Sequence, residues 1–126
     1  MHRLNDTSVL ITGGAGFVGS NLVRALLGAG VGAVRVIDNL LSAERWNLPD
    51  DSRVAFTEGS VADDSVLDTI ADAHEFVFHL CTYHGNQSSI CNPLADHEHN
   101  QLTTLKLFDR LRRCARLRAV VYSGPR

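Results

Sequence analysis

The stretch Ser8–Gly19, reading SVLITGGAGFVG, constrains this chain more than any other. Ser8–Ile11 is a short, apolar, β-branched run that suits a buried strand, and the residues after Gly16 take on helical spacing, with Val18, Leu22, Ala25, Leu26 and Ala29 expected on one face. Between them stand Gly13, Gly16 and Gly19, and each glycine has a physical reading. Gly13 permits a tight turn off the strand. Gly16 lets bare backbone approach a pyrophosphate, and Gly19 lets the helix lie close to the strand. A phosphate would then meet the unpaired N–H groups and positive dipole end of the helix. A strand before and a helix after raise such a glycine turn above a merely flexible loop. An acidic residue about 20 positions further on is part of the same pattern, and Asp38 fills that place.

The rest of the chain repeats the alternation. Val34–Asp38 reads as a second strand, and Asn39–Asp51 as a loop with at most one helical turn. Arg53–Thr57 reads as a third strand, Asp63 to about Ala73 as a short helix with acidic residues in its first turn, and Glu75–Leu80 as a fourth strand. Cys81–Pro93 is an irregular loop, Asp96 to about Arg116 the longest helix, and Leu117–Ser123 a fifth strand. Strands alternating with helices predict an α/β fold. The expected form is a Rossmann-like, doubly wound parallel sheet of five strands in the order 3-2-1-4-5.

With 126 residues, 44% hydrophobic and 21% charged, one domain with a real core is expected. The formal net charge of −2 gives no support to nucleic-acid binding. No apolar run reaches the length of a membrane span and no signal-peptide pattern opens the sequence, so a cytoplasmic location is the expectation. Cys81, Cys91 and Cys114 are odd in number and irregularly spaced, which reads as reduced thiols in apolar niches. Cys91, His97 and His99 match no common zinc spacing, and no metal site is expected. His79, in an apolar strand, reads as a packed core histidine. Arg110, Arg112, Arg113, Arg116 and Arg118 read as a solvated helix end helped by the C-terminal dipole. The polar loop Tyr83–Ser89 fits either a sugar- or pyrophosphate-facing loop or a solvated one.

Four separated motifs resemble the NAD-dependent sugar-nucleotide epimerases and dehydratases of the extended short-chain dehydrogenase/reductase superfamily. They are TGGAGFVG at 12–19, IDNL at 37–40, VFHLCT at 77–82 and NPLADHEHNQLTTLKLF at 92–108. The resemblance implies NAD as cofactor, with Phe17 and Val18 offering backbone N–H groups to its pyrophosphate. It implies that Asp38 accepts from the adenosine ribose hydroxyls, with Asn39 and Leu40 beside the same ribose. A carboxylate there repels a 2′-phosphate, which favours NAD over NADP. Ser60 and Val61 occupy the adenine position, where the family usually carries an aspartate and an aliphatic residue. Leu80, Cys81 and Thr82 should line the cofactor, Asn100 matches the helix asparagine near the nicotinamide half, Thr103 stands in place of a glycine, and Ser123 begins the family's serine-rich stretch.

The same resemblance implies a catalytic tyrosine with a lysine four residues later. The chain holds only Tyr83 and Tyr122, followed at that distance by Gln87 and Arg126, and its single lysine is Lys106. No catalytic residue is therefore expected within it. Residues 1–126 are read as an incomplete NAD-binding domain, lacking the catalytic helix and substrate lobe and inactive alone. The parent enzyme would act on a nucleotide sugar, with 4-epimerisation ahead of 4,6-dehydration. The alternative is a non-catalytic nucleotide-binding or regulatory module. Leu102, Leu105, Leu107, Phe108, Leu111, Cys114 and Ala115 spread over an arc too wide for sheet packing alone, so a homo-oligomer with Phe108 or Leu111 in the contact is expected.

Overall fold

The structure is a computed structural model that describes residues 6–40, 43–80 and 101–122. Its elements are β1 (Ser8–Thr12), α1 (Phe17–Gly28), β2 (Ala33–Asp38), a 3₁₀ turn (Arg45–Asn47), β3 (Val54–Glu58), α2 (Asp64–Leu67), β4 (Phe76–His79), α3 (Thr103–Leu111) and β5 (Ala119–Tyr122). The strands form one parallel sheet in the order β3-β2-β1-β4-β5, as the alternation predicts.

Alternation along each strand divides the core between two faces. Val9 and Ile11 of β1 pack with Val34 and Val36 of β2 and with Val23 of α1. Leu10 points the other way, into a cluster with Ile37, Val77, Leu107 and Leu111 beneath α2 and α3. β1 is buried on both sides, and for that reason its sequence is a continuous apolar run. Each such buried aliphatic side chain contributes about 1.5–3 kcal/mol of transfer free energy.

Several elements differ from their sequence reading. The buried stripe of α1 runs through Gly19, Ser20 and Val23, with Leu22, Leu26 and Leu27 beside it. Val18 is 64% exposed, and Ala25 and Ala29 are exposed too. The helix is rotated because Gly19, which has no side chain, must face the turn at the end of β1. It ends at Gly28: Ala29 is the C-cap, and Gly30 follows with φ +88°, a conformation glycine adopts without strain. β3 lies one residue later than predicted.

α2 is a single turn and not a helix running from Asp63 to about Ala73. Its last carbonyl and those of the residues that follow are taken by arginines from outside it. Arg35 of β2 donates to the Thr69 carbonyl (2.5 Å) and hydroxyl (2.6 Å). Arg110 of α3 donates to the carbonyls of Leu67 (3.2 Å) and Ile70, and pairs with Asp72 at 2.9 Å. Arg110 is thus a buried bridge between two helices, which corrects its reading as part of a solvated end; Arg112, Arg113, Arg116 and Arg118 are exposed as expected.

α3 stops at Leu111, short of Arg116, because the chain turns inward to bury Cys114. The Cys114 N–H donates to Leu111 O at 2.9 Å, and burial pushes the thiol pKa up, as suits an inert reduced cysteine. Leu111 is only 3% exposed, which removes it as a protruding contact, whereas Leu105 (66%) and Phe108 (37%) remain outward. Phe108, Leu111, Arg112, Leu117 and Val120 line a cleft of about 200 Å³ between α3 and β5.

Candidate cofactor site

A parallel sheet binds ligands at the carboxyl ends of its strands, where the strand order reverses. Here β1 lies between β2 and β4, so the crevice opens beyond Thr12. Backbone bonds hold the strand ends level. The Gly13 N–H donates to Ile37 O (2.8 Å), the Leu80 N–H to Thr12 O (2.9 Å) and the Gly59 N–H to Asp38 O (3.0 Å). The turns after β1, β2, β3 and β4 therefore share one rim.

The glycine loop leaves β1 on this rim, and its glycines do different work. Gly13 has φ +77°, which makes the turn. A Cβ on Gly14 would lie 2.6 Å from Val36 Cγ1, and one on Gly19 would lie 2.5 Å from Gly13 O and Gly14 Cα. Internal packing thus demands glycine at 14 and 19, and Gly19 seats α1 on the turn rather than along the strand. Gly14 was not singled out from the sequence, because its crowding comes from β2. Gly16 is different: an added Cβ would meet only Gly13 O, at an ordinary 3.6 Å. Nothing inside the described fold requires glycine there. Its bare backbone borders open space at the start of α1.

That helix start carries no side-chain cap and no acidic residue in its first turn. The first N–H groups of any helix lack intrahelical partners, and the dipole leaves them positive. Phe17 (84% exposed) and Val18 direct their side chains outward, leaving their amides as the polar groups of this end. The requirements of an anion cradle are present together.

Asp38 closes the second side. Its carboxylate is buried; Oδ2 accepts the Ala15 N–H (3.1 Å) and Oδ1 accepts the Leu40 N–H (2.8 Å). Leu40 reaches this position with φ +61°, uncommon for a side chain of its size. A carboxylate offers about four lone-pair directions, so two bonds leave acceptor capacity for a pair of vicinal hydroxyls. Asn39 follows on the same rim.

The adenine positions are placed less simply. Ser60 Oγ accepts the Ala62 N–H at 3.1 Å, which leaves its hydroxyl proton to donate. Val61 is 1% exposed, packed in the α2–α3 core, so only its backbone is left for a ligand. Leu80 is partly buried at the end of β4. Cys81, Thr82, the loop Tyr83–Ser89, Cys91, His97, His99, Asn100 and Ser123 lie outside the described residues. Among the described residues no His, Cys, Asp and Glu cluster could hold a metal ion.

His79, one residue before the rim, is a core histidine as expected. It has no exposed surface; Nδ1 lies 2.5 Å from Thr12 Oγ1, Nε2 lies 2.9 Å from Thr104 Oγ1, and Tyr122 stacks on the ring at 5.4 Å. Burial lowers its pKa to about 4, and burial first, then Arg35 and Arg110, lower that of His74. Both groups bind protons more readily in the unfolded chain, where a histidine titrates near 6.5. Their contribution to stability is complete above about pH 6.5 and is lost as the pH falls below it, for His79 toward 4. For His79 the loss is on the order of 3 kcal/mol. Urea denaturation at pH 7.5 and pH 5 is expected to show a lower midpoint at pH 5; equal midpoints would contradict a neutral, buried His79.

Residues 9–124 match the profile of the NAD dependent epimerase/dehydratase family. The chain belongs to that family. Among solved structures, the Bordetella bronchiseptica enzyme WbmF in complex with NAD+ is 60% identical, with a TM-score of 0.88 over 94% of this chain and 36% of that one. WbmF is also known in complex with NAD+ and UDP. The Thermotoga maritima UDP-glucose 4-epimerase, solved with UDP-glucose, is 31% identical, with a TM-score of 0.81 over 92% of this chain and 37% of its own. A UDP-glucose 4-epimerase of Halalkalibacterium halodurans is 34% identical over 106 residues, 82% of this chain and 30% of the relative. This family chain thus spans about a third of the length of these relatives. No described helix is long and apolar enough to cross a membrane.

Proposed function

We propose that this chain is the NAD-binding portion of a nucleotide-sugar epimerase or dehydratase. The observation that carries the reading is the join between Asp38 and the glycine loop. A buried carboxylate holds the Ala15 N–H beside a bare Gly16 backbone at an uncapped helix start. The amides of Phe17 and Val18 would hold the pyrophosphate, and Asp38, with Asn39 and Leu40, the adenosine ribose. Ser60 and the Val61 backbone would meet the adenine. Leu80, Cys81, Thr82, Asn100 and Ser123 are assigned to the remainder of the cofactor by the family pattern. NAD supplies a reversible hydride acceptor when bound. The chain's own residues bind and orient it, and Asp38 excludes a 2′-phosphate by charge.

For the whole protein we infer a nucleotide-sugar substrate and 4-epimerisation in preference to 4,6-dehydration. UDP-glucose 4-epimerases among the relatives support that order. Within residues 1–126, binding without turnover is the better description. The single lysine, Lys106, donates to Ala62 O (2.7 Å) and Asp64 (3.2 Å), so it is engaged between α2 and α3. This also supports the second reading, a nucleotide-binding module without chemistry of its own. Calorimetric titration with NAD, NADP and UDP-glucose tests the proposal: saturable binding of NAD with weaker NADP is expected, and no NAD binding overturns it.

A homo-oligomer is part of the same proposal. Leu105 and Phe108 of α3 and Val120 and Val121 of β5 leave apolar surface exposed, and Phe108 and Val120 line the same cleft. Light scattering is expected to show a mass above the monomer that Phe108→Asp reduces. A clean monomer at high concentration would sink the idea.

A further inference from the structure

The 3₁₀ turn Arg45–Asn47 is tied to the glycine loop through one side chain. Asn47 Nδ2 donates to the Ala15 carbonyl at 2.9 Å, while the Ala15 N–H is held by Asp38 at 3.1 Å. Ala15 itself has no exposed surface. Its N–H and carbonyl are therefore held by two different parts of the fold. The turn that supplies Asn47 is in turn anchored to α1, because Arg24 donates to the Asn47 backbone carbonyl at 2.7 Å. Leu48, the next residue, packs into the α1-face core.

The Ala15 carbonyl and the Gly16 N–H belong to one peptide plane. Fixing the carbonyl fixes the direction of that amide and the entry of the chain into the Phe17 and Val18 amides. The Gly16 N–H has only a long bond to Gly13 O, 3.4 Å, to orient it otherwise. A glycine loop without such a tie has many conformations, and a ligand would have to order it at the expense of affinity.

We propose that Asn47 is a positioning residue for the pyrophosphate, holding the Ala15–Gly16 peptide so that the loop amides converge before ligand arrives. The proposal rests on the NAD reading above. It gives the β2–β3 connection a role in binding, although Asn47 itself does not touch the ligand.

The test compares the wild-type chain with Asn47→Leu, a neutral side chain of similar volume without the donor. NAD and ADP affinities are expected to fall together by about three- to tenfold, the effect of losing one hydrogen bond, with adenosine binding unchanged. In the ligand-free variant the amides of residues 14–18 are expected to exchange faster with solvent while those of β1 and β4 keep their protection. Unchanged NAD affinity in the variant, or an equal loss for adenosine, overturns the positioning role alone. Failure of the wild-type chain to bind NAD overturns the cofactor reading and this proposal with it. The wild-type chain offers an independent measurement should Asn47→Leu not fold. Its Asn47 side-chain amide protons are expected to exchange slowly and to shift when ADP is added; fast, unshifted amide protons overturn the proposal.

Discussion

Gly19→Ala is expected to destabilise the chain by about 2–4 kcal/mol and to lower NAD affinity by about a hundredfold or more. The new methyl group would sit 2.5 Å from Gly13 O and Gly14 Cα and 2.8 Å from Gly14 C. All three are backbone atoms, so no rotamer change relieves the clash. The turn cannot retreat, because Gly14 already lies against Val36 on its other side. The helix must move instead, and its first amides move with it. Chemical denaturation and NAD calorimetry on the same sample check both parts. A variant with wild-type stability and affinity would show that α1 is not seated on the turn as described.

Asp38→Ala is expected to combine two losses. The Ala15 and Leu40 amides lose a charged acceptor, each such bond contributing about 1.5–3 kcal/mol, and a buried N–H is left without a partner. The ribose would lose its acceptor as well. NAD affinity should fall about a hundredfold, the melting temperature should drop, and the preference for NAD over NADP should shrink as the repelling charge disappears. Calorimetry with both nucleotides measures the ratio. A variant that keeps its NAD affinity would remove Asp38 from the site.

The architecture and one edge of the site were legible because both depend on local pattern. The apolar runs at Ser8–Ile11, Val34–Asp38 and Glu75–Leu80 mark strands buried on two faces, and the loop glycines and Asp38 stand at fixed offsets from them. What remained hidden arises from contacts between distant segments. The face of α1 was misread because the decisive residue is a glycine, which hydrophobic periodicity cannot weigh. Gly14 matters through Val36, Asn47 through Ala15, and Arg110 through the Leu67 and Ile70 carbonyls; none of these pairs shares a local motif. Val61 fits the family's adenine position by sequence, yet its side chain belongs to the core.

The arrangement around α2 bears on the order in which the chain assembles. One helical turn cannot sustain itself in water, since nucleation costs more than so few hydrogen bonds return. Its end and the chain that leaves it are held by Arg35, which reaches Thr69 from 34 residues earlier, and by Arg110, which reaches Leu67 and Ile70 from 43 and 40 residues later. α2 can therefore become ordered only after β2 and α3 have both found the sheet. During folding it is a late arrival, and under mild denaturant its amides should be among the first to open.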